Sequence, residues 1–163
     1  MRHRHLCLLV LLVAVAVAGF GSNGETINIG GVVPLNLQLA VTPHVLADNL
    51  TLVGTNDPHT QEISGIVIAT NNSAGWELWV FSANAAGANT SLINSDADEI
   101  AYTITYSGAG GVATTDIPAI GLKIGEEGDA TGDTGAISIT YAQTESYPAG
   151  YYSDQLAIVL RAK

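Results

Sequence analysis

The sequence predicts an all-β protein in which short strands pair into antiparallel sheets around one core. Apolar residues alternate with polar ones in many short segments of the 163-residue chain. Such a period of two indicates a strand with one apolar face, because successive side chains point to opposite sides. Clusters of Gly, Asn, Asp and Pro separate the segments, which is typical of turns between strands. About nine strands at this spacing predict an immunoglobulin-like antiparallel β-sandwich, and no segment after residue 24 has a convincing helical period.

The start of the chain has the layout of a signal peptide followed by a short linker. Two arginines precede an apolar run over residues 6–18, and small residues near its end offer cleavage signals. The run is too short to span a bilayer. We therefore predict a secreted or cell-surface protein with a leader over residues 1–24, an extension strand over 25–33 and a sandwich domain over 34–163.

The composition limits the partners that the mature chain can have. Removal of Arg2 and Arg4 with the leader changes the formal net charge from −10 to −12. So acidic a chain argues against nucleic acid or an anionic membrane surface as partner, because phosphates repel it. The single cysteine, Cys7, lies in the leader. The mature protein is therefore expected to be stabilised by packing and strand pairing, without a disulfide.

The first predicted strands follow the leader directly. Residues 26–41 alternate between apolar and polar side chains, and Pro34 divides the stretch because proline has no N–H to give to a sheet ladder. We predict one strand over residues 25–33 and another over 35–42. Residues 49–53 are predicted to form a short third strand.

The middle of the chain is predicted to contain two strands joined by a turn. The Ile- and Val-rich residues 62–70 form the first, and Ser64-Gly65 within it predicts a bulge that changes which side chains face inward. Residues 71–75 form the turn. Residues 76–83 form the second strand, with apolar side chains on both faces.

Four further segments in the second half of the chain alternate clearly. They cover residues 99–106, 117–124, 136–141 and 154–162. In the second of these, Ile120, Leu122 and Ile124 share one face. A loop of small residues over 84–98 and an acidic, glycine-rich loop over 125–135 separate the segments.

Signals for catalysis are few. Residues 19–24 match G-x-G-x-x-G, but that motif binds dinucleotides only between a strand and a helix, so we interpret it as a chance match. After the leader the chain has two histidines, His44 and His59, both beside prolines in predicted turns. It has no Gly-x-Ser-x-Gly motif. We predict no catalytic residues and a protein that is not an enzyme.

Two acidic loops could hold calcium, which prefers carboxylate oxygens. Asp96, Asp98 and Glu99 lie in one loop, and Asp129 and Asp133 lie in the other. Neither has the twelve-residue, helix-flanked pattern of a specific calcium loop. Solvated turns are the simpler interpretation, and no other cofactor is expected.

Other side chains could bind a ligand or carry a modification. Trp79 and Phe81 lie two residues apart on one strand, so they could form a platform for a carbohydrate if they face solvent. A place in the core is the simpler alternative. Asn49, Asn71 and Asn89 each begin a glycosylation sequon.

The last part of the chain resembles the closing hairpin of secreted pilin-like sandwiches. Residues 147–154 contain an a-G-x-Y-x-D turn, with Gly150, Tyr152 and Asp154 at its defined positions, before an alternating last strand. Gly150 is also the fourteenth residue from the C-terminus, a spacing found in chaperone–usher fimbrial subunits. The chain departs from such subunits at the penultimate residue, which is Ala162 in place of tyrosine.

The first half resembles the spore-coat-U and alpha-fimbrial group of secreted bacterial proteins. The likeness lies in residues 31–41, 49–53, 66–72 and 76–84. It includes a t-x-N-x-x-g-aromatic turn, which here extends from Thr70-Asn71 to Gly75-Trp76.

This resemblance implies a structural subunit of a pilus, fimbria or surface coat that assembles by strand donation. A sandwich that lacks one strand has an apolar groove, which an apolar-faced strand of the next subunit can fill. The donor strand would present Ile27, Ile29, Gly31 and Val33. The acceptor groove would be bordered by Gly150, Leu156, Ile158 and Leu160. The implied partners are further copies or sibling subunits, with a periplasmic chaperone before assembly.

The alternation of the N-terminal strand fits a second interpretation equally well. The strand could pair within its own domain and give a monomeric secreted sandwich. Such a protein would bind carbohydrate or calcium through the residues named above.

Overall fold

The computed structural model describes residues 30–54, 56–111, 115–128 and 132–163. These residues contain eight strands and no helix, and so none that is long and apolar enough to cross a membrane. The strands are β1 (Leu37–Pro43), β2 (Pro58–Thr70), β3 (Trp76–Ser82), β4 (Ser91–Ile93), β5 (Glu99–Tyr106), β6 (Leu122–Glu127), β7 (Gly132–Ala142) and β8 (Leu156–Ala162). All of them belong to the unit Pro34–Lys163.

The strands form two antiparallel sheets that share one core. The five-stranded sheet has the order β1-β2-β7-β5-β4, and the three-stranded sheet has the order β6-β3-β8. One cluster of buried side chains takes members from both sheets, so the sheets pack face to face. This arrangement confirms the predicted all-β fold with antiparallel sheets.

Strict alternation places the core side chains. In β3, Trp76, Leu78 and Val80 are fully buried, while the residues between them are half-buried on the other face. β5 follows the same rule with Ile100, Tyr102, Ile104 and Tyr106. Burial of each such side chain contributes roughly 1.5–3 kcal/mol. The period of two in the sequence therefore predicts which face of each strand is buried.

The pairing of β2 with β7 contains a bulge, but it lies at Ile63, one residue before the predicted Ser64-Gly65. The register shifts between Glu62 and Ser64. Before the shift the odd-numbered side chains are the less exposed ones, and after it the even-numbered Ser64, Ile66 and Ile68 are buried. The extra residue thus changes the phase of alternation and keeps both halves of the strand against the core.

Two predicted strands near the start of the chain are wrong in their described parts. Residues 30–36 are outside any strand, so β1 begins at Leu37, and residues 25–29 lie outside the described residues. Residues 49–53 also form no strand. Leu50 and Leu52 pack against the core, but the carbonyls of Thr51 and Leu52 accept single bonds from Gln143 Nε2 and the Thr144 N–H. The alternation there belongs to an extended loop.

The predicted strand over residues 117–124 is interrupted by a turn. Ile117 is buried, but the Gly121 N–H bonds to the Pro118 carbonyl at 2.8 Å and closes a turn that leaves Ile120 85 % exposed. Gly121 has a φ of +88°, which glycine adopts at low cost. The strand β6 starts only at Leu122.

Two predicted loops contain strand residues. The three residues of β4 pair with β5 inside the predicted loop 84–98. β6 extends to Glu127 and β7 begins at Gly132, so both enter the predicted loop 125–135. β4 has only three residues, which is too short for a pattern of alternation. The glycine and acidic residues at the end of β6 and the start of β7 have a low propensity for strands, which tertiary pairing overrides.

Candidate functional site

An open seam between the two sheets forms a concave feature of the described chain. β1 and β8 are each the last strand of a sheet, and each pairs on one side among the described strands. Val41 and Pro43 of β1 and Leu156 and Ile158 of β8 line one cavity of about 380 Å³. We call this cavity and the two strand edges beside it the β1–β8 groove.

The backbone of β8 points into this groove at alternate residues. The Lys163 N–H bonds to the Gly75 carbonyl, and the Ala83 N–H bonds to the Gln155 carbonyl, so odd-numbered residues face β3. In an antiparallel pair the residues between them direct their N–H and C=O groups away from the partner. These residues are Leu156, Ile158 and Leu160, and their side chains pack against the core. The same three residues therefore offer both backbone polar groups and apolar side chains.

The backbone of β1 follows the same pattern. The Asn71 N–H bonds to the Asn36 carbonyl at 3.2 Å, and the His44 N–H bonds to the Ile63 carbonyl at 2.8 Å. The backbone N–H and C=O groups of even-numbered residues of β1 thus point to β2, and those of odd-numbered residues point to the open edge of the sheet. An unpaired sheet edge is a template for another strand. The groove has two such edges.

The walls of the cavity combine apolar side chains with polar ones, among them Asp48, Asn49 and Asp154. Its further lining includes Leu50, Leu52, Ile63, Leu92 and Ile139. Ser64 also lines it, is 5 % exposed, and its Oγ has no hydrogen-bond partner among the described residues. A buried hydroxyl without a partner costs roughly 1–3 kcal/mol. A polar group that enters the cavity can remove this cost.

Asp154 holds the end of the groove together. Its Oδ2 accepts from the Tyr102 hydroxyl at 2.5 Å and the Ser82 hydroxyl at 2.6 Å, and its Oδ1 accepts from the Asn84 N–H at 3.1 Å. Burial and this carboxylate raise the pKa of Tyr102 well above its usual range. The phenol therefore stays protonated and donates to Asp154. This network fixes the start of β8 to β3 and β5.

The other residues of the a-G-x-Y-x-D turn have structural roles beside the groove. The Tyr152 hydroxyl donates to the Pro148 carbonyl at 2.9 Å, and its ring is 6.2 Å from that of Tyr147. A Cβ at Gly150 would lie 3.1 Å from Asn94 Nδ2. The Ser153 and Ile93 backbones exchange two hydrogen bonds, which close one end of the groove.

The t-x-N-x-x-g-aromatic turn holds the chain that enters β1. Asn71 Oδ1 accepts from the Asn36 N–H at 2.6 Å, and its Nδ2 donates to the Pro34 carbonyl at 2.8 Å. Gly75 has a φ of +89°, and a Cβ there would collide with the Glu127 carbonyl. The motif thus sets the position at which the edge strand begins.

The predicted acceptor residues meet at this site in part. Gly150, Leu156 and Ile158 line the cavity, whereas Leu160 packs against the core beside it. Of the predicted donor residues, Ile27 and Ile29 lie outside the described residues. Gly31 and Val33 are described and belong to no strand. Gly31 is exposed and Val33 is 83 % exposed.

Trp79 and Phe81 lie on the outer face of the three-stranded sheet. Their ring centroids are 6.4 Å apart and their planes differ by 18°. The guanidinium carbon of Arg161 lies 4.9 Å from the Trp79 centroid and 5.9 Å from that of Phe81. The rings are therefore outside the core but covered by a cation, which the sequence argument missed. Alternation along β8 places Arg161 on the outer face, and this is the sequence signal that indicates a cation near the two rings.

The acidic residues predicted for calcium are used mainly by hydrogen bonds. Asp98 accepts from Asn94 Nδ2, and Glu99 accepts from the Ser91 hydroxyl. Asp133 accepts from the Tyr106 hydroxyl and the Ala109 N–H. The described ranges contain no group of three His, Cys, Asp or Glu residues that could hold a metal, and Asp129 lies outside them.

The two histidines lie in different elements of the chain. His44 follows β1, and its Nδ1 accepts from the Leu46 N–H. His59 lies within β2 rather than in the predicted turn, with its ring edge-on to Tyr141 at 5.6 Å. Of the sequon residues, Asn49 lines the groove and Asn89 is exposed, while the Asn71 amide is held by hydrogen bonds.

Comparison with known proteins assigns no family. No protein-family model matches the chain, and no curated protein matches it in sequence. The β1–β8 groove is therefore the feature from which we infer a function.

Proposed function

We propose that this protein is a non-catalytic, secreted structural subunit of a pilus, fimbria or surface coat, and that its β1–β8 groove accepts a β-strand of another subunit. The observation that carries the proposal lies on β8. Leu156, Ile158 and Leu160 combine outward backbone groups with side chains on the core side. An added strand can bond to the first and pack against the second at the same time.

The added strand would complete the three-stranded sheet. Its N–H and C=O groups would form a ladder with β8, and every second side chain would enter the seam between the sheets. Each large apolar side chain buried there stabilises the complex by roughly 1.5–3 kcal/mol before the entropy of ordering is counted. The Ser64 hydroxyl, which has no hydrogen-bond partner among the described residues, gives the cavity a buried polar contact for the incoming chain.

The donor in this proposal is the segment over residues 25–33 of a second copy or of a sibling subunit. Ile27, Ile29 and Val33 lie two or four residues apart, so they share one face of an extended strand, with Gly31 between them. Repetition of one head-to-tail contact gives an open fibre. A periplasmic chaperone would cover the same groove before assembly, as the resemblance to fimbrial subunits implies.

The immunoglobulin-like character of the sandwich is part of the same proposal. Sandwiches of that type carry a tyrosine near the start of a late strand whose hydroxyl bonds to the backbone a few residues upstream. The bond from Tyr152 to Pro148, four residues before β8 begins at Leu156, supports the assignment.

The experiment is a denaturing gel of the mature protein with and without boiling. Strand-exchanged polymers should give a ladder that boiling reduces to one band. Ile158→Asp should abolish the ladder, because it places a charge in the groove. Val159→Asp is the matched control, since Val159 faces away from the core on the same strand, and it should keep the ladder.

A second measurement covers the outcome in which Ile158→Asp fails to fold. A labelled peptide of residues 25–33 should bind the mature protein whose own residues 25–33 are deleted, and the Ile29→Asp peptide should not bind. A single monomer band for the wild-type protein in both lanes, together with no peptide binding, would overturn the proposal. It would favour a sandwich that pairs its own N-terminal strand.

A further inference from the structure

The outer surface of the three-stranded sheet combines aromatic rings with positive charge. Odd-numbered residues of β3 and β8 point away from the core there. We define the basic aromatic face by Trp79, Phe81, Lys123, Arg161 and Lys163. These three cations are all the lysines and arginines of the chain after Arg4.

Arg161 is held in place on this face before any partner arrives. Its guanidinium lies over both aromatic rings, 4.9 Å from the Trp79 centroid. Such a cation–π contact contributes about 0.5–1 kcal/mol at an exposed site. Because the side chain is already ordered, less conformational entropy is lost when it binds a partner.

The carboxylates of the face are already engaged with its lysines. Glu77 accepts from Lys123 Nζ at 3.4 Å and from Trp79 Nε1 at 3.1 Å. Glu126 forms ion pairs with Lys123 and Lys163. In the part of the chain that the structure describes, Arg161 forms no ion pair. Because Glu77 and Glu126 pair with lysines, the planar fork of donors of Arg161 is suited to a carboxylate from another surface.

A complementary acidic turn lies on the other sheet of the same chain. The 94–99 turn consists of the connection from β4 to β5 and the first residue of β5, Glu99, at the outer edge of the five-stranded sheet. Asp96 and Glu99 are exposed there. Asn94 Oδ1 accepts from the Asp96 and Asp98 N–H groups at 2.9 and 2.8 Å, which fixes the backbone of the turn. The turn contains no lysine or arginine.

We propose that the basic aromatic face binds the 94–99 turn of a second copy of this chain, with Arg161 paired to a carboxylate of Asp96 or Glu99. The two surfaces differ, so the contact is heterologous and can repeat from copy to copy. It uses neither edge of the β1–β8 groove. It would therefore join subunits side by side, beyond the strand donation proposed above.

The first test is the average mass of the full mature protein, measured by sedimentation at low and high salt. Association through this face should decrease at about 1 M salt, where charges are screened beyond roughly 3 Å. Arg161→Glu should raise the apparent dissociation constant about tenfold or more, because like charges then meet. Arg161→Lys should weaken association less, since the charge remains but the fork is lost. Glu62→Gln, at an exposed site on β2, is the matched control and should have no effect.

A charge swap makes the test specific for the second copy. Arg161→Glu combined with Asp96→Arg and Glu99→Arg should restore the association that Arg161→Glu removes. The inference is wrong if Arg161→Glu associates like the wild type, or if the swap fails to restore association. It is also wrong if the wild type does not associate with itself. Binding of polygalacturonate, used as an acidic polysaccharide probe, that requires Arg161 would then assign the face to a polysaccharide.

This test is separate from that of strand donation. Backbone ladders and apolar contacts persist at high salt, whereas ion pairs on a surface do not. Arg161→Glu should therefore leave the boiling-sensitive ladder unchanged. If the wild-type protein gives no ladder but still associates in a salt-dependent way, strand donation is contradicted and the contact through the basic aromatic face is not.

Discussion

The hydroxyl of Tyr102 lies 2.5 Å from Oδ2 of Asp154 and joins the core of the five-stranded sheet to the start of β8. Tyr102 is 2 % exposed, Asp154 is half-buried, and both residues line the β1–β8 groove. The same carboxylate accepts from Ser82 and Asn84 on the β3 side. One side chain thus fixes the distance between the sheets where the groove is open.

Removal of the Asp154 carboxylate should therefore destabilise the fold strongly. Asp154→Ala leaves the Tyr102 and Ser82 hydroxyls and the Asn84 N–H without their acceptor, and hydrogen bonds to a charged group are worth about 1.5–3 kcal/mol each. We expect the free energy of unfolding, measured in urea, to fall by about 3 kcal/mol or more. Tyr102→Phe removes one of these bonds and should cost about half as much. Glu62→Ala, an exposed site, should change it by less than about 0.5 kcal/mol. Equal effects of Asp154→Ala and Glu62→Ala would contradict this role.

The stability of the protein should fall in alkaline solution. Burial and Asp154 raise the pKa of Tyr102, and burial and Asp133 raise that of Tyr106. The unfolded chain loses these protons first, near pH 10. The stability that the two neutral phenols contribute to the fold is therefore fully present below about pH 10 and is lost as the pH rises above it.

Urea unfolding between about pH 9 and about pH 11.5 measures this loss. Each tyrosine should contribute a slope of about 1.4 kcal/mol per pH unit above pH 10. Tyr102→Phe should reduce the slope by about 1.4 kcal/mol per pH unit, which is the contribution of one proton. A slope that Tyr102→Phe leaves unchanged would show that this phenol titrates equally in both states.

Gly75 and Gly128 are neighbours in the structure but should respond differently to alanine. Gly75 has a φ of +89° and its Cβ would meet the Glu127 carbonyl, whereas a Cβ at Gly128 has open space around it. Gly75→Ala should destabilise the fold by about 1–3 kcal/mol, because the backbone is strained and must shift. Gly128→Ala should be neutral or stabilise by up to about 1 kcal/mol. Thermal and urea unfolding of both variants distinguish the outcomes, and a tolerated Gly75→Ala would be evidence against the turn as described.

The elements that the sequence predicts well are those whose alternation coincides with a paired strand. β5 is predicted at the correct residues because Ile100, Tyr102 and Ile104 have no turn residue between them. The segment containing Ile117 and Ile120 fails because alternation reports exposure of one face, not a ladder partner. A hydrogen-bonded turn can have apolar residues at similar spacing without forming a strand.

The groove could be predicted only on its β8 side. Leu156 and Ile158 follow from alternation and from the resemblance at the C-terminus. Val41 and Ser64 come from β1 and β2, which lie in the other sheet. Their proximity to β8 depends on a sheet order in which most neighbours are distant in sequence, and a single sequence does not encode that order locally. Alternation on β8 indicates that Arg161 points outward, but its place over the rings of β3 depends on the same sheet order.

The side chain of Asn71 should control how firmly β1 begins. It bonds to the Asn36 N–H and the Pro34 carbonyl, both on the chain just before β1. Asn71→Ala removes both bonds and should cost about 1 kcal/mol, with faster hydrogen exchange at Asn36. Asn71→Asp is the matched variant, because its carboxylate still accepts from Asn36 but cannot donate to Pro34. It should retain most of the protection at Asn36, and equal exchange in both variants would contradict this assignment.

The buried hydroxyl of Ser64 gives the sharpest prediction for the groove. Ser64→Ala removes a buried polar atom that has no partner in the described chain, with little change in volume. The monomer with residues 25–33 deleted should therefore gain stability, by up to about 1 kcal/mol, in place of the loss that most buried substitutions cause. Urea unfolding of that deletion variant, with and without Ser64→Ala, measures the difference. If an incoming strand bonds to this hydroxyl, Ser64→Ala should also weaken binding of the 25–33 peptide, so stability and affinity would change in opposite directions. A loss of stability in the monomer would mean that the hydroxyl already has a partner.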